Sequence, residues 1–188
     1  MKALNLIVAL LLLGVIAYSS KANATGLPRT SQLISESRLE LAQANLKDAE
    51  KYWNSGNEYL LRDDYKGAIA DFTKAIEINP EFTQAYLNRG VAYAFLQDYQ
   101  AAIADYTKAI EINPEFAEVY LSRGVAHALL KNYQEAIADY TKAIEINPKS
   151  ATAYKNRGSV RSELKDYQGA IADYTKAIEI NPSLGTAY

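Results

Sequence analysis

The chain has 188 residues, 49% of them apolar, with 20 Lys+Arg against 22 Asp+Glu and no cysteine. That length holds one domain, or a short array with an appendage, and the apolar content is that of a folded chain. The missing cysteine excludes disulfides, thiol catalysis, thiolate zinc sites and a lipid-modified N-terminal cysteine, and the single histidine, His127, cannot build a metal cluster alone.

The first 24 residues combine a basic start at Lys2, an apolar run from Leu4 to Tyr18 and the small-x-small element Ala22-Asn23-Ala24. This pattern predicts a secretory signal peptide cut after Ala24, because the run is shorter than the roughly 20 apolar residues of a spanning helix. The expectation is export, to the periplasm or outside the cell, with no membrane attachment after cleavage. The mature chain would carry 18 Lys+Arg against 22 Asp+Glu, a net charge of −4, with bases and acids interleaved. Such a surface disfavours nucleic acid as a partner.

Thr25 to Thr30, with Gly26 and Pro28, reads as a linker. From Ser31 the composition turns helical, and Leu39, Ala42, Leu46, Ala49, Trp53 and Gly56 follow helical spacing. Either one long helix crosses into the first repeat, or a separate capping helix starting near Ser31 or Ser35 covers that repeat's face. Residues 25–48 are assigned to this linker and N-terminal helix.

Beyond it the stretch AIADYTKAIEINP recurs at 102–114, 136–148 and 170–182, with Phe72 as a variant in the copy at 68–80, and Pro80, Pro114, Pro148 and Pro182 are spaced by 34. A fixed period of this size signals stacked repeats. The copies run 49–82, 83–116, 117–150 and 151–184, and 185–188 would open a fifth. Each divides into two helices. In the second copy helix A is expected over Thr83 to Gln97; helix B follows, capped by Asp98 and stopped at Asn113-Pro114, since a residue before proline is pushed out of helical geometry. Asp64, Asn132 and Asp166 take the capping place elsewhere, and Glu135 could close a capping box with Asn132.

Numbered from 1 to 34, the copies share Tyr52, Tyr86, Tyr120 and Tyr154 at position 4, and Gly56, Gly90, Gly124 and Gly158 at position 8. Ala68, Ala102, Ala136 and Ala170 share position 20, Phe72, Tyr106, Tyr140 and Tyr174 position 24, and Ala75, Ala109, Ala143 and Ala177 position 27. With the prolines at position 32, residues 49–184 resemble the tetratricopeptide repeat family, and with the leader in front they are similar to its exported bacterial members. The resemblance implies an all-α, right-handed α-solenoid of antiparallel helix pairs. Three departures stand out. Position 7, usually leucine, is Ser55 and then Arg89, Arg123 and Arg157, whose guanidinium groups are expected to reach the acids at position 23: Asp71, Asp105, Asp139 or Asp173. Position 11 is His127 and Arg161 in the last two copies, which predicts looser packing there. The last copy has no helix A after it, so Ile171, Tyr174, Ile178 and Leu184 are expected to be partly uncovered and that copy to open first.

No nucleophile elbow, Gly-rich phosphate loop or metal cluster points to an enzyme, and no cofactor or metal is expected. The resemblance implies instead a concave groove lined by helix A. Its candidate residues are Trp53 and Asn57 in the first copy, Leu87, Asn88, Val91 and Phe95 in the second, Leu121, Ser122, Val125 and Leu129 in the third, and Lys155 and Asn156 in the fourth. Some family members clamp a C-terminal carboxylate with cations; here Trp53, Glu118 and Ser122 stand where those cations would be. The expected function is a non-enzymatic scaffold holding an apolar or amphipathic protein segment, with Leu87, Val91, Phe95, Leu121 and Val125 as one partly exposed strip. The alternative is a structural protein that self-assembles by stacking through its last repeat, a homo-oligomer.

Overall fold

The computed structural model describes residues 29–186, with side chains from 36 to 184. The expected leader and its expected cleavage site lie outside the described residues. Eight α-helices and one short 3-10 helix, with no strand, are present among the described residues: α1 (Arg29–Leu61), α2 (Tyr65–Ile78), α3 (Thr83–Phe95), α4 (Tyr99–Ile112), α5 (Ala117–Leu129), α6 (Tyr133–Ile146), α7 (Ala151–Glu163), α8 (Tyr167–Ile180) and the 3-10 turn Pro182–Thr186. The described residues fall into two units, divided between 47 and 48. Of the two readings of the N-terminal segment, the single long helix is the one found.

Local chemistry sets the helix ends in the repeat unit. Asp64, Asp98 and Asp166 accept the amide protons of Gly67, Ala101 and Gly169 at 2.9, 3.1 and 3.0 Å, so each carboxylate satisfies a free N–H at a helix N-terminus. Asn132 stands in the same place without a side-chain cap bond, and the expected capping box is not formed. Its neutral amide gains less from the helix dipole than a carboxylate does. The B helices end at Ile78, Ile112, Ile146 and Ile180, each followed by asparagine and proline. Asn79, Asn113, Asn147 and Asn181 are extended or near it, as a following proline requires, and their side-chain oxygens accept the amide two residues on at 3.2 Å.

The A helices end sooner than their periodicity implies: α3 stops at Phe95, not Gln97. Gln97 has φ of 62°, and Asp63, Lys131 and Lys165 repeat that left-handed geometry. After α5 the Lys131 amide donates to Ala128 O and the Asn132 amide to His127 O, both at 2.9 Å, which closes the helix in the crossed-bond pattern usually finished by glycine.

Within each repeat the two helices approach through a glycine. A Cβ on Gly90 would lie 2.6 Å from Cε1 of Tyr106, and one on Gly124 would lie 2.7 Å from Cε1 of Tyr140. Only a residue without a side chain lets these rings lie flat against the A helix, and both tyrosines are fully buried. Burial, helped by the neighbouring Asp105 and Asp139, pushes the phenol pKa of Tyr106 and Tyr140 well above the usual tyrosine range.

Candidate partner-binding surface

Neighbouring repeats are joined by a buried polar bond that recurs three times. Arg89 donates from Nε and Nη2 to both oxygens of Asp105 at 2.8 Å, and from Nη1 to Oγ1 of Thr73 at 2.9 Å. Arg123 does the same with Asp139 and Thr107, and Arg157 with Asp173 and Thr141, at 2.7 to 3.0 Å. The Arg–Asp pairing expected from positions 7 and 23 is therefore present. The threonine of the preceding repeat is an addition, and the sequence signal for it was a threonine at position 25 of every copy. Each guanidinium also lies over the tyrosine at position 4, 5.6 to 5.8 Å from the ring centre. The carboxylate of Asp105 holds the Arg89 proton more tightly than usual. In the first repeat Ser55 replaces the arginine and donates to Asp71 at 2.6 Å, while Lys74 supplies the charge at 3.3 Å.

Arg161 differs from the expectation of loose packing. Its Nη1 lies 2.8 Å from Oδ2 of Asp173, so that one carboxylate takes two arginines, and Nε lies 3.7 Å from Asp166. An ion pair here replaces the missing aromatic. His127, in the third copy, has a buried Nδ1 with no hydrogen-bond partner.

The groove candidates fall into separate environments. Leu87 belongs to the core with only 5% of its surface exposed, in the cluster that also includes Phe82 and against which Trp53 packs. It cannot be part of an exposed strip, and Val91 is half-buried against the same cluster. Trp53 is half-buried, tilted against Phe82 at 5.8 Å between ring centres, with Nε1 unpartnered. Asn57 and Asn88 bond each other across the repeat boundary, Nδ2 of Asn88 donating to Oδ1 of Asn57 at 2.7 Å. Phe95 is 62% exposed and stacks on Tyr65, with centroids 4.9 Å apart and planes at 6°.

Leu121, Ser122, Val125, Leu129 and Asn156 do meet. They line a cleft of about 230 Å³, completed by Ala94, Tyr106, Ala126 and Thr152. The small side chain of Ala94 opens this space beside Leu121. Lys155 lies elsewhere, at a second cavity of about 370 Å³ with Tyr174, Ala177, Ile178 and Leu184.

A model described as the tetratricopeptide repeat matches residues 83–116, 117–150 and 151–184, and a second, described as the TPR repeat, matches 56–97. No curated protein matches the sequence. Among solved structures, one titled as a crystal structure of MamA superposes with a TM-score of 0.70 at 24% identity, covering 78% of this chain and 86% of that one. The TPR domain of Arabidopsis OM64 gives 0.62 at 31% identity, over 63% of this chain and 98% of that one. The first TPR of Spaghetti (RPAP3), bound to the HSP90 peptide SRMEEVD, gives 0.63 at 27% identity, over 64% of this chain and 95% of that one.

Proposed function

Because the chain belongs to the tetratricopeptide repeat family, we propose that it is a non-enzymatic interaction scaffold, exported from the cytoplasm, that holds an apolar or amphipathic protein segment in the groove of its second to fourth A helices. Proteins of this family are generally interaction modules without catalysis, and one structural neighbour is described with a peptide bound. The observation that carries the finer reading is the cleft formed by Leu121, Val125 and Leu129 beside Ala94. Its exposed aliphatic side chains favour a segment that inserts an apolar group, while Ser122, Thr152 and Asn156 at its edge offer hydrogen bonds to that segment's backbone. An acidic C-terminus fits poorly: Asn57 and Asn88 are engaged with each other, and Glu118 adds a negative charge on α5.

Selection of displayed random peptides on the mature protein tests the groove. Enriched sequences should share spaced apolar residues and lose affinity on Leu129→Asp, a change at an exposed position that leaves the melting temperature nearly unchanged. Enrichment of acidic C-termini, or binding indifferent to Leu129→Asp, would overturn the reading. Export rests on Lys2, the apolar run to Tyr18 and the Ala22-Asn23-Ala24 element. The exported protein should begin at Thr25 on N-terminal sequencing; a chain beginning at Met1 in the membrane fraction would refute it.

A further inference from the structure

The junctions between repeats share one backbone pattern but not one filling. At the first, Phe72 is fully buried with Ala68 and Ala92, Leu60 packs against them, and Leu87 is core. At the second, two of these residues change together: Tyr106 stands for Phe72, which adds a hydroxyl, and Ala94 stands for Leu60, which shortens the side chain. The space so left is the cleft of about 230 Å³ walled by Leu121, Val125 and Leu129. Tyr106 lies at its base. Its Cδ1, Cε1 and Cζ are 2.9, 2.6 and 3.1 Å from where a Cβ on Gly90 would be, so the ring passes beneath α3 and the end that reaches on to the cleft is the hydroxyl. Tyr106 is only 2% exposed, and among the described residues no group bonds to that hydroxyl. Nor is it sealed in as Nε1 of Trp53 and Nδ1 of His127 are; the opening it keeps is the cleft. A nearly buried phenol without a partner costs stability that phenylalanine, used at this position in the first copy, would not. Burial also raises its pKa, so it stays a donor throughout the physiological range.

A group that fills this cleft must present an acceptor at the end of an apolar body. The acceptor must be neutral, because no cation is among the lining residues and Asp105 lies beside Tyr106. Tyrosine has this form: an apolar ring with a phenol oxygen at its tip. We propose that the cleft is a tyrosine pocket, in which the ring of a tyrosine in the bound segment lies between Leu121, Val125 and Leu129 and its phenol oxygen accepts the proton of Tyr106. This deepens the groove reading and rests on it: the segment is the same, and its anchor residue is now named. Phenylalanine would fill the same space but seal the Tyr106 hydroxyl without a partner. Glutamine also ends in a neutral acceptor, but its amide brings two further protons that the aliphatic walls cannot accept. At the third junction Tyr140 offers the same hydroxyl, yet Lys155 and Glu163 stand where Leu121 and Leu129 stand, and the buried Val160 replaces Ala126. An aromatic ring would meet charge there instead of an apolar wall.

The test titrates the full chain, labelled at its leucine and valine methyl groups, with N-acetyl-tyrosine methylamide and N-acetyl-phenylalanine methylamide, followed by NMR. Saturable shifts are expected at the methyls of Leu121, Val125 and Leu129, with the tyrosine probe binding roughly tenfold more tightly. Tyr106→Phe, which places the first copy's own residue there, should keep the fold and erase the preference, because the hydroxyl that penalises phenylalanine is gone. Ala94→Leu, again the first copy's residue, should abolish binding of both probes with Tyr106 intact. Equal affinities for the two probes, a preference that survives Tyr106→Phe, tighter binding of N-acetyl-glutamine methylamide, or no shift with any probe would overturn the tyrosine pocket. The groove reading fails separately, in the peptide selection: enriched peptides that depend on Leu129 but carry no tyrosine would leave the groove standing and remove the pocket.

Discussion

Where the second, third and fourth repeats present Ala85, Val119 and Ala153 to the helix before them, the first presents Lys51; where they carry Ala92, Ala126 and Val160, it carries Glu58. The inner set is buried and the outer pair is exposed, with Glu58 3.8 Å from Arg62. At the other end α8 keeps the apolar sequence of the inner B helices, and Ile171 and Ile178 remain exposed. Repeats this similar therefore diverge where stacking is decided. One end is finished with charge, as a terminal repeat of a one-dimensional array requires, and the other keeps the chemistry of an internal junction.

The largest expected difference between inner and outer repeats lies in the arginine bonds. Asp139→Ala would leave Arg123 in a mostly buried site without its carboxylate, and should cost about 3 kcal/mol or more by urea denaturation. Asp71→Ala in the first repeat leaves only a serine and a half-exposed lysine unpaired, and should cost about 1 kcal/mol. Equal losses at the two sites would show that the repeated guanidinium bond does not hold the inner junctions together.

A smaller contrast concerns the glycines. Alanine at Gly124 would press on the buried Tyr140 ring at 2.7 Å and should cost about 1 to 3 kcal/mol, net of alanine's better helix propensity. At Gly158 the same atom meets the half-buried Tyr174 ring at 3.0 Å and the backbone oxygen of Ala170 at 3.2 Å, both longer than the contact at Gly124. Gly158→Ala should fall within about 1 kcal/mol of neutral. A matching penalty at both positions would mean that the fourth repeat is as tightly packed as the third.

Much of this was legible because it is local. An aspartate before a B helix and an Asn-Pro after it act through bonds within four residues, and the Arg–Asp pair recurs at fixed positions of one repeat. What the sequence concealed depends on neighbours. Leu87 and Leu121 share position 5, yet one is core and the other lines the cleft, because the first belongs to the cluster against which Trp53 packs and the second lies beside Ala94. The partner of Thr107, Arg123, lies in the next repeat, so their bond exists only once the repeats are stacked. The left-handed residues Asp63, Gln97, Lys131 and Lys165 carried no glycine or asparagine to announce them. Asn132 and Asp98 look equivalent as caps, and only the carboxylate makes the bond.

Hydrogen exchange would sharpen the comparison between inner and outer repeats further. Residues 151–180 lack a helix over α8 among the described residues, and Ala85, Val119 and Ala153 show how much apolar contact such a helix brings to each inner junction. Amides of α7 and α8 should therefore open roughly tenfold faster than those of α4 and α5. The two arginines on Asp173 oppose this by tying α7 to α8, which keeps the pair opening together rather than fraying singly. Uniform protection across all four repeats in a monomer would show that the exposed face of α8 does not loosen the fourth repeat.

The smallest effect on stability should come from rewriting the charged end. Lys51 and Glu58 are exposed, so Lys51→Ala and Glu58→Ala should each move the unfolding free energy by less than about 0.5 kcal/mol. Ser55→Arg, made with them, restores the guanidinium that the other three repeats carry; its Nε and Nη2 have Asp71 to bond, as Arg123 has Asp139. The triple variant then presents at its first repeat the small, arginine, small pattern that covers α4 in the native chain, while its α8 still offers Ile171, Ile178 and the oxygen of Thr175. Both halves of an inner junction would be free on one molecule, in a head-to-tail arrangement that does not close on itself. Sedimentation should show chains lengthening with concentration for the variant and not for the native protein, and adding Ile171→Asp should return it to the native behaviour. A triple variant that sediments like the native protein would mean that Lys51, Ser55 and Glu58 are not what keeps the first repeat from stacking.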